Sequence, residues 1–172
     1  MMKLSTVMSL AALSAALLVA GCTTPKPTST TTPPPTGYST PPAAASTIVP
    51  GSAEDLRVNV GDTVHFAYNA YNIEDNDKGT LQRQATWLAK YPSVRVTVEG
   101  DCDERGTREY NLALGARRAN AVKEYLVSLG VSGARLDTIS YGKEHPVCSE
   151  STEDCYAQNR RGVSSITGGA NS

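Results

Sequence analysis

Three acidic side chains stand close together in the middle of the chain, at Asp101, Asp103 and Glu104, and a basic side chain, Arg118, follows them. A carboxylate binds an ammonium group, and a planar guanidinium binds a carboxylate through two parallel hydrogen bonds. Paired carboxylates can also hydrolyse glycosidic bonds. These residue types therefore allow two kinds of chemistry, binding of a ligand that carries both charges or catalysis on a glycan.

Catalysis is the less favoured of the two. Acids clustered on one turn usually form a solvated loop or complement the dipole of the following helix. An acid catalyst also needs an apolar pocket that raises its pKa, and the residues around this loop indicate none. The chain contains no Ser-His-Asp set, HExxH motif or Gly-rich phosphate loop. We therefore expect a binding protein that is not an enzyme and needs no cofactor.

The acidic loop lies between a predicted strand and a predicted helix. Residues 94–99 alternate apolar and polar side chains, which is typical of a half-buried strand, and this strand ends at Gly100. A long helix is predicted from about Thr107 to Leu129, before Gly130. The first N–H groups of a helix lack partners within it and bind anions readily. The loop and the start of the helix together form a plausible ligand site.

One charged residue interrupts the apolar face of this helix. Arg118 falls within a stripe formed by Leu114, Ala121, Val122, Tyr125, Leu126 and Leu129. A buried guanidinium is costly unless it is paired, and the acidic loop offers the nearest acids. We expect Asp103 to pair with Arg118, and Arg117 to face the solvent. The spacing alone leaves open whether the pair binds a ligand or only braces the loop against the helix.

Further strand and helix signals surround this unit. Strands are predicted at 64–68, 138–142 and 162–166, and a helix around Trp87 ends at Lys90-Tyr91-Pro92. The predicted order β-α-β-α-β-β favours an α+β domain in which the helices pack on one face of a mixed sheet. We expect this domain to span residues 54–168, with a short tail at 169–172.

The N-terminus carries an export signal. Lys3 supplies a positive charge, and the apolar run Val7–Ala20 that follows is too short to cross a bilayer comfortably. We therefore predict that residues 1–21 are a signal peptide and do not form a permanent membrane helix.

The end of this signal, Leu18–Cys22, resembles the bacterial lipobox. The resemblance implies that Cys22 is lipidated and becomes the first residue of the mature protein. It also implies retention at the outer membrane, because Thr23 and not Asp follows the cysteine. Several acyl chains on one residue make membrane attachment effectively stable. Ordinary cleavage near Ala20, with an incidental cysteine, is the alternative.

Residues 22–53 are predicted to form a tether. They consist mainly of Thr, Ser, Pro and Ala and show no apolar periodicity, so they cannot bury enough surface to fold. The whole chain has a net charge of -1 and no basic stripe. Nucleic acid is therefore not expected as a partner, because binding to phosphate backbones requires a positive surface.

The cysteines after Cys22 suggest one disulfide and one free thiol. Cys148 and Cys155 enclose a short Ser/Glu/Asp-rich loop, and an oxidising compartment favours a bond between them. Cys102 is then unpaired, and a buried, small apolar role is preferred over a reactive thiol or a metal ligand beside Asp101 and Asp103. The only histidines are His65 and His145, so no set of metal ligands is expected.

Residues 60–165 resemble the OmpA-like peptidoglycan-binding domain family, and in particular its lipoprotein members. The motifs that carry the resemblance are Val98–Thr107, Tyr110–Val122, Ser140–Pro146 and Asn159–Arg161. The resemblance implies that Asp103 and Arg118 hold meso-diaminopimelate, the zwitterionic residue of the cell-wall stem peptide. It also implies that Asn111 contacts the ligand or supports the residues that do, and that Leu114 forms an apolar floor.

The same resemblance implies a function. Lipoproteins of this family attach the outer membrane non-covalently to peptidoglycan, and they act with the Tol proteins, including TolB, in envelope integrity and cell division. Three positions depart from the family pattern, because many relatives carry acids where this chain has Ala67 and Asn69, and a His is common at Asp101. These departures keep one alternative open, a periplasmic protein-interaction module with weak or no wall binding.

Overall fold

The computed structural model describes residues 48–171. The predicted signal peptide, Cys22 and nearly all of the predicted tether lie outside these residues, as does the last residue of the predicted tail. Among the helices within 48–171, none is long and apolar enough to cross a membrane.

The described part of the chain forms four α-helices and four strands. The helices are α1 (Ala53–Asp55), α2 (Asp75–Lys90), α3 (Arg108–Ser128) and α4 (Glu153–Asn159). The strands are β1 (Thr63–His65), β2 (Arg95–Asp101), β3 (Leu136–Gly142) and β4 (Arg161–Gly168). A π-helical turn over Leu56–Val60 follows α1, and a 3-10 turn over Gly133–Arg135 leads into β3.

The strands form one mixed sheet in the order β1-β4-β2-β3. The central strands β4 and β2 are antiparallel, with Val98 opposite Ser164, whereas β2 and β3 are parallel, with Val98 opposite Thr138. A parallel pair needs a crossover connection, and α3 supplies it. The loop after β2 and the start of α3 are thereby held at the end of the sheet where β2 and β3 terminate.

The apolar core lies between one face of the sheet and the helices α2 and α3. Alternate residues of β2 point into it, and Val96 and Val98 are fully buried. The helices contribute side chains at helical spacing, among them Leu81, Leu88, Val122 and Leu126. The prediction of an α+β domain with helices packed on one face of a mixed sheet is confirmed.

Helix α3 approaches β2 closely at one pair of glycines. A side chain at Gly100 would overlap the carbonyl group of Gly115, and a side chain at Gly115 would overlap both Ser140 Oγ and the Gly100 carbonyl group. Because neither residue has a Cβ atom, the helix backbone rests directly on the strand. This contact lies one residue before Asp101 and fixes the start of α3 against the acidic loop.

The element boundaries differ from the sequence-based expectation in three places. Helix α4 was not predicted, because a segment of seven residues rich in polar side chains has no apolar periodicity to reveal it; Thr152 caps it by accepting a hydrogen bond from the backbone N–H of Cys155. Strand β1 ends at His65 and is shorter than expected. Leu129, expected on the apolar stripe, follows the last turn of α3 and is 37% exposed.

Both ends of the described chain meet at one end of the sheet. Asn171 donates from its backbone to the Gly51 carbonyl and from its side chain to the Pro50 carbonyl. Nearby, Gly168 pairs with Arg95 at the start of β2. The acidic loop follows the other end of β2, about 20 Å away at the usual rise of a strand.

Candidate ligand site

The acidic loop passes from the end of β2 into the first turn of α3. Gly106 has a positive φ of 93° and reverses the chain just before the helix, a conformation that suits glycine. Thr107 then caps α3, since its hydroxyl accepts a hydrogen bond from the backbone N–H of Tyr110 at 3.2 Å. The prediction of a loop that opens a long helix is confirmed.

A cavity of about 190 Å³ lies beside this loop. Asp103, Asn111, Leu114 and Arg118, which the sequence assigned to one site, all line it. The other lining residues are Tyr68, Asn69, Cys102, Arg105, Gly106 and Tyr110. The structure therefore brings the four predicted residues together around one small opening.

Arg118 is fully buried on the α3 side of this cavity. Its guanidinium donates to the backbone carbonyls of Ala70 (2.8 Å), Asp101 (2.8 Å) and Ala67 (3.2 Å). Burial lowers the pKa of this guanidinium, which nevertheless stays protonated, as arginine does in proteins. A guanidinium has five N–H donors, so two of them make no bond to these carbonyls.

The expected ion pair between Asp103 and Arg118 was wrong: within the described chain these two side chains form none. Asp103 is instead bound by Arg105, at 2.6 Å from Nη2 to Oδ2, and by Arg160, at 3.3 Å from Nη1 to Oδ2. Burial alone would raise the pKa of the Asp103 carboxyl, but the hydrogen bonds from Arg105 outweigh it and hold that pKa below its usual range. The charges of Asp103 and Arg118 thus face one cavity without neutralising each other.

Arg105 is a site residue that the sequence reasoning missed. Its guanidinium lies between the rings of Tyr68 and Tyr156, 4.2 Å and 4.3 Å from their centroids. It also contacts Glu153 at 3.2 Å. The proximity of Arg105 to Asp103 along the chain could have suggested their pairing, whereas its contacts with the two distant tyrosines follow only from the fold.

Asn111 and Leu114 have different parts in the cavity wall. The side-chain amide of Asn111 donates both of its hydrogens to the loop, to the carbonyls of Arg105 (2.9 Å) and Thr107 (3.1 Å). Only the amide oxygen of Asn111 is left for a ligand, so the main role of this side chain is to hold the loop. Leu114 is buried and presents apolar surface to the cavity.

The two positions before Asp103 are buried but differ in their chemistry. Cys102 is a free thiol that donates to the Asn111 carbonyl, and burial raises its pKa to about 11, so it stays protonated at neutral pH. This agrees with the preferred buried role. Asp101 is also buried, and neither of its carboxylate oxygens accepts a hydrogen bond within the described chain. Arg161 approaches it at 3.3 Å, but burial dominates and raises the pKa of Asp101 to about 6.

The residues that depart from the family pattern lie at this site. Ala67 supplies its backbone carbonyl to Arg118, as described above, and its side chain is exposed. Asn69 adopts a positive φ of 55° and accepts a hydrogen bond from the Tyr110 hydroxyl. This side of the cavity is therefore uncharged.

The predicted disulfide between Cys148 and Cys155 is confirmed. It closes the segment that precedes α4, and Cys155 is buried. Three parts of the chain line the cavity: the loop after β1 at Tyr68 and Asn69, the acidic loop, and the buried face of α3. Helix α4 lies next to them and contacts Arg105 through Glu153.

Comparison with known proteins identifies the family. The OmpA family matches residues 65–160, which include the acidic loop, α3 and α4. A peptidoglycan-associated lipoprotein of Rhizobium meliloti is 57% identical over 72% of this chain and 69% of its own length. One from Agrobacterium fabrum is 46% identical over 99% of this chain and 93% of its own. The chain belongs to the OmpA family, among the peptidoglycan-associated lipoproteins.

Two solved structures share the fold. The crystal structure of the peptidoglycan-associated lipoprotein from Burkholderia pseudomallei has 40% sequence identity and a TM-score of 0.60, and the match covers 62% of this chain and 90% of that one. The C-terminal domain of Helicobacter pylori MotB matches at 26% identity with a TM-score of 0.59, over 64% of this chain and 88% of that one. The resemblance seen in the motifs thus extends to a fold shared over 62% and 64% of this chain.

Proposed function

We propose that this lipoprotein binds peptidoglycan through the diaminopimelate of the stem peptide and links the outer membrane to the cell wall. One observation carries the proposal: a small cavity with a carboxylate, Asp103, on its loop side and a fully buried guanidinium, Arg118, on its helix side. A ligand that carries an ammonium and a carboxylate a few ångströms apart suits these two charges. The family and its named members support the same function.

The two charges have separate tasks in this proposal. Asp103 accepts hydrogen bonds from the ligand ammonium, in place of those it now accepts from Arg105. Arg118 offers its two remaining N–H groups to the ligand carboxylate, while the three backbone carbonyls keep the guanidinium from turning away. Leu114 packs against the aliphatic carbons between the charged ends. No group needs to change its protonation state, which agrees with binding and not catalysis.

This arrangement predicts a choice between two wall chemistries. The side chain of diaminopimelate ends in both an ammonium and a carboxylate, whereas lysine ends in an ammonium alone. A lysine-containing stem brings no carboxylate to the buried Arg118 guanidinium, so the charge-assisted hydrogen bonds to that carboxylate are not formed. We expect calorimetric titration of the full chain in detergent micelles to give at least about tenfold weaker binding of the lysine-containing stem peptide, equivalent to about 1.4 kcal/mol.

Two variants assign this binding to the cavity. Asp103→Asn should weaken binding of the diaminopimelate stem about tenfold or more, because a hydrogen bond to a charged group contributes about 1.5 to 3 kcal/mol. Arg118→Lys should do the same, because an ammonium lacks the bidentate fork. Asp137→Asn, on the exposed face of β3, and Arg117→Lys, on the exposed side of α3, are matched controls. Equal affinity of all four variants and the parent would refute the assignment.

The anchoring part of the proposal concerns Cys22 and the tether over residues 22–53. The described chain begins at the end of the sheet away from the cavity, so the tether would join the domain at that end. Labelled palmitate should be incorporated at Cys22, and Cys22→Ala should release the protein from outer-membrane vesicles after digestion of the wall. A Cys22→Ala protein that stays in the vesicles would contradict lipid anchoring.

We further propose that the protein acts within the Tol-Pal system, in envelope integrity and cell division, and that TolB is a partner. Two exposed tyrosines, Tyr68 and Tyr110, line the cavity, and the exposed Tyr71 follows Tyr68 in the same loop. Aromatic residues are enriched at protein interfaces. This rim is also the observation that favours the alternative, a protein-interaction module with little wall binding. TolB retention on the immobilised protein, challenged with free stem peptide, separates the two. The alternative gains if TolB is retained and stem peptide neither binds nor displaces it.

A further inference from the structure

The chain from Cys148 to Asn159 forms a compact arm beside the candidate site. The disulfide ties its first residue to Cys155 in the first turn of α4. Asn159 closes the other end, because its side-chain oxygen accepts from the backbone N–H groups of Val147 (2.8 Å) and Cys148 (3.1 Å) and its amide donates to the Cys148 carbonyl (2.7 Å). We call residues 148–159 the disulfide arm.

The disulfide arm reaches the cavity through Glu153. This carboxylate contacts Arg105 at 3.2 Å and Arg160 at 2.8 Å. Those are the same two arginines that bind Asp103. Two carboxylates therefore share two guanidiniums, and one of the carboxylates belongs to the ligand cavity while the other belongs to the arm.

The arm also holds the acidic loop from its outer side. Glu104 Oε1 accepts hydrogen bonds from the hydroxyls of Ser151 and Tyr156, each at 2.8 Å. The pKa of Glu104 is lowered by these two bonds, so the loop carboxylate is ionised while it is held. The Tyr156 ring lies against the Arg105 guanidinium, as described above. The acidic loop and Arg105 are thus both held by side chains of the arm, Ser151 and Tyr156 for the loop and Tyr156 for Arg105.

This geometry has a consequence for ligand entry, because Arg105 now occupies the carboxylate that the ligand ammonium needs. Its removal from Asp103 would leave an unpaired charge if no other acid were within reach. We propose that the disulfide arm is a positioning element of the ligand site, which gives Arg105 a second carboxylate, Glu153, when an ammonium-bearing ligand takes its place on Asp103. The inference rests on the proposed function, since it concerns the same ligand.

The proposal makes the affinity of the site depend on the disulfide. A dithiol reductant transfers two electrons to the Cys148–Cys155 bond, each sulfur takes up one proton, and the reductant is left as a cyclic disulfide. The start of α4 then loses its covalent link to Cys148, and Glu153 and Tyr156 lose their fixed positions relative to Arg105.

The test is titration of the full chain in detergent micelles with diaminopimelate stem peptide, oxidised and after treatment with a dithiol. Reduction should weaken binding about fivefold. In the oxidised protein Glu153→Gln should weaken it about two- to fivefold, the range for a partly exposed ion pair. Asp154→Asn, the neighbouring exposed acid of α4, is the matched control and should bind as the parent does. In a Cys148→Ser/Cys155→Ser double variant the dithiol should have no further effect.

A second readout separates positioning from general damage to the fold. The Nε–H resonance of Arg105 should shift in Glu153→Gln while the melting temperature stays near that of the parent, and it should not shift in Asp154→Asn. Equal affinities of the oxidised, reduced and Glu153→Gln proteins would overturn the arm's role and leave the proposed function intact. If the oxidised parent itself fails to bind stem peptide, the proposed function is wrong and this inference falls with it.

Discussion

The two ends of the domain differ in the kind of side chain that they bury. Between α2, α3 and the sheet the buried side chains are almost all apolar, as at Leu81, Val98 and Leu126. At the acidic-loop end six polar or charged side chains are buried beside Cys102 and Leu114: Asp101, Asp103, Asn111, Arg118, Asn159 and Arg160. Apolar burial is the main favourable term in folding, whereas burial of charge is costly even when paired. The apolar end therefore stabilises the domain, and the burial of charge at the polar end offsets part of that stability.

The largest expected effect tests the apolar end. Leu126 is fully buried near the end of α3, and Leu126→Ala should lower the free energy of unfolding by about 3 to 4 kcal/mol, measured by urea denaturation. Twelve residues of helix separate it from Leu114, about 18 Å, so ligand affinity of the folded protein should not change. Loss of affinity in parallel with loss of stability would show that the two ends are not independent.

The next effect comes from Asp101 at the polar end. Burial raises its pKa to about 6, against an ordinary value of 3.8, so the folded state favours the protonated form. The stability linked to Asp101 is therefore present below about pH 4 and is lost as the pH rises through about 6. Relative to Asp101→Asn, the parent should lose up to about 3 kcal/mol of unfolding free energy between pH 4 and pH 7.

Asp137→Asn is the control for this pH dependence, since Asp137 is exposed on β3. The comparison of unfolding free energies is made by denaturant titration at each pH. An identical pH profile for the parent and Asp101→Asn would mean that Asp101 is already well solvated or well paired, and that the polar end costs less than the burial of its charges indicates.

The smallest effect concerns Thr107, the residue that caps the start of α3 at the polar end. Thr107→Ala removes the hydrogen bond to the N–H of Tyr110 and should cost about 1 kcal/mol of unfolding free energy. Thr86→Ala is the matched control, at an exposed position in the middle of α2. It should be neutral or slightly stabilising, because alanine is the better helix former. If both changes have the same effect in thermal unfolding, the cap contributes little and the start of α3 is held by the Gly100–Gly115 contact.

Local patterns in the sequence were sufficient for most of the framework. The alternation before Gly100 and the long periodic segment after Thr107 predicted β2 and α3 within a few residues. The short spacing between Cys148 and Cys155 predicted their bond. Each of these features depends on neighbours along the chain, which is why a single sequence can reveal it.

The pairing of charges at the site could not be predicted in the same way. Arg118 is held by carbonyls of Ala67 and Ala70, which come from the loop after β1, and no pattern in the sequence marks a carbonyl as an acceptor. Arg160 reaches Asp103 only because β4 lies next to β2 in the sheet. Residue types and spacing predicted that Asp103 and Arg118 lie at one site, and the family resemblance added Asn111 and Leu114. The order of the strands decides which side chains touch.

The two ends of the described chain meet at the end of the sheet away from the cavity. This placement sets the direction in which a pulling force would act on the domain. A pull between a bound wall fragment and a membrane anchor would run lengthwise along β2 and β4, from the acidic loop to Gly51. The inter-strand hydrogen bonds lie across that line. Tension along that line would load these hydrogen bonds in shear, all at the same time and not one after another. The sheet is therefore oriented to resist such tension.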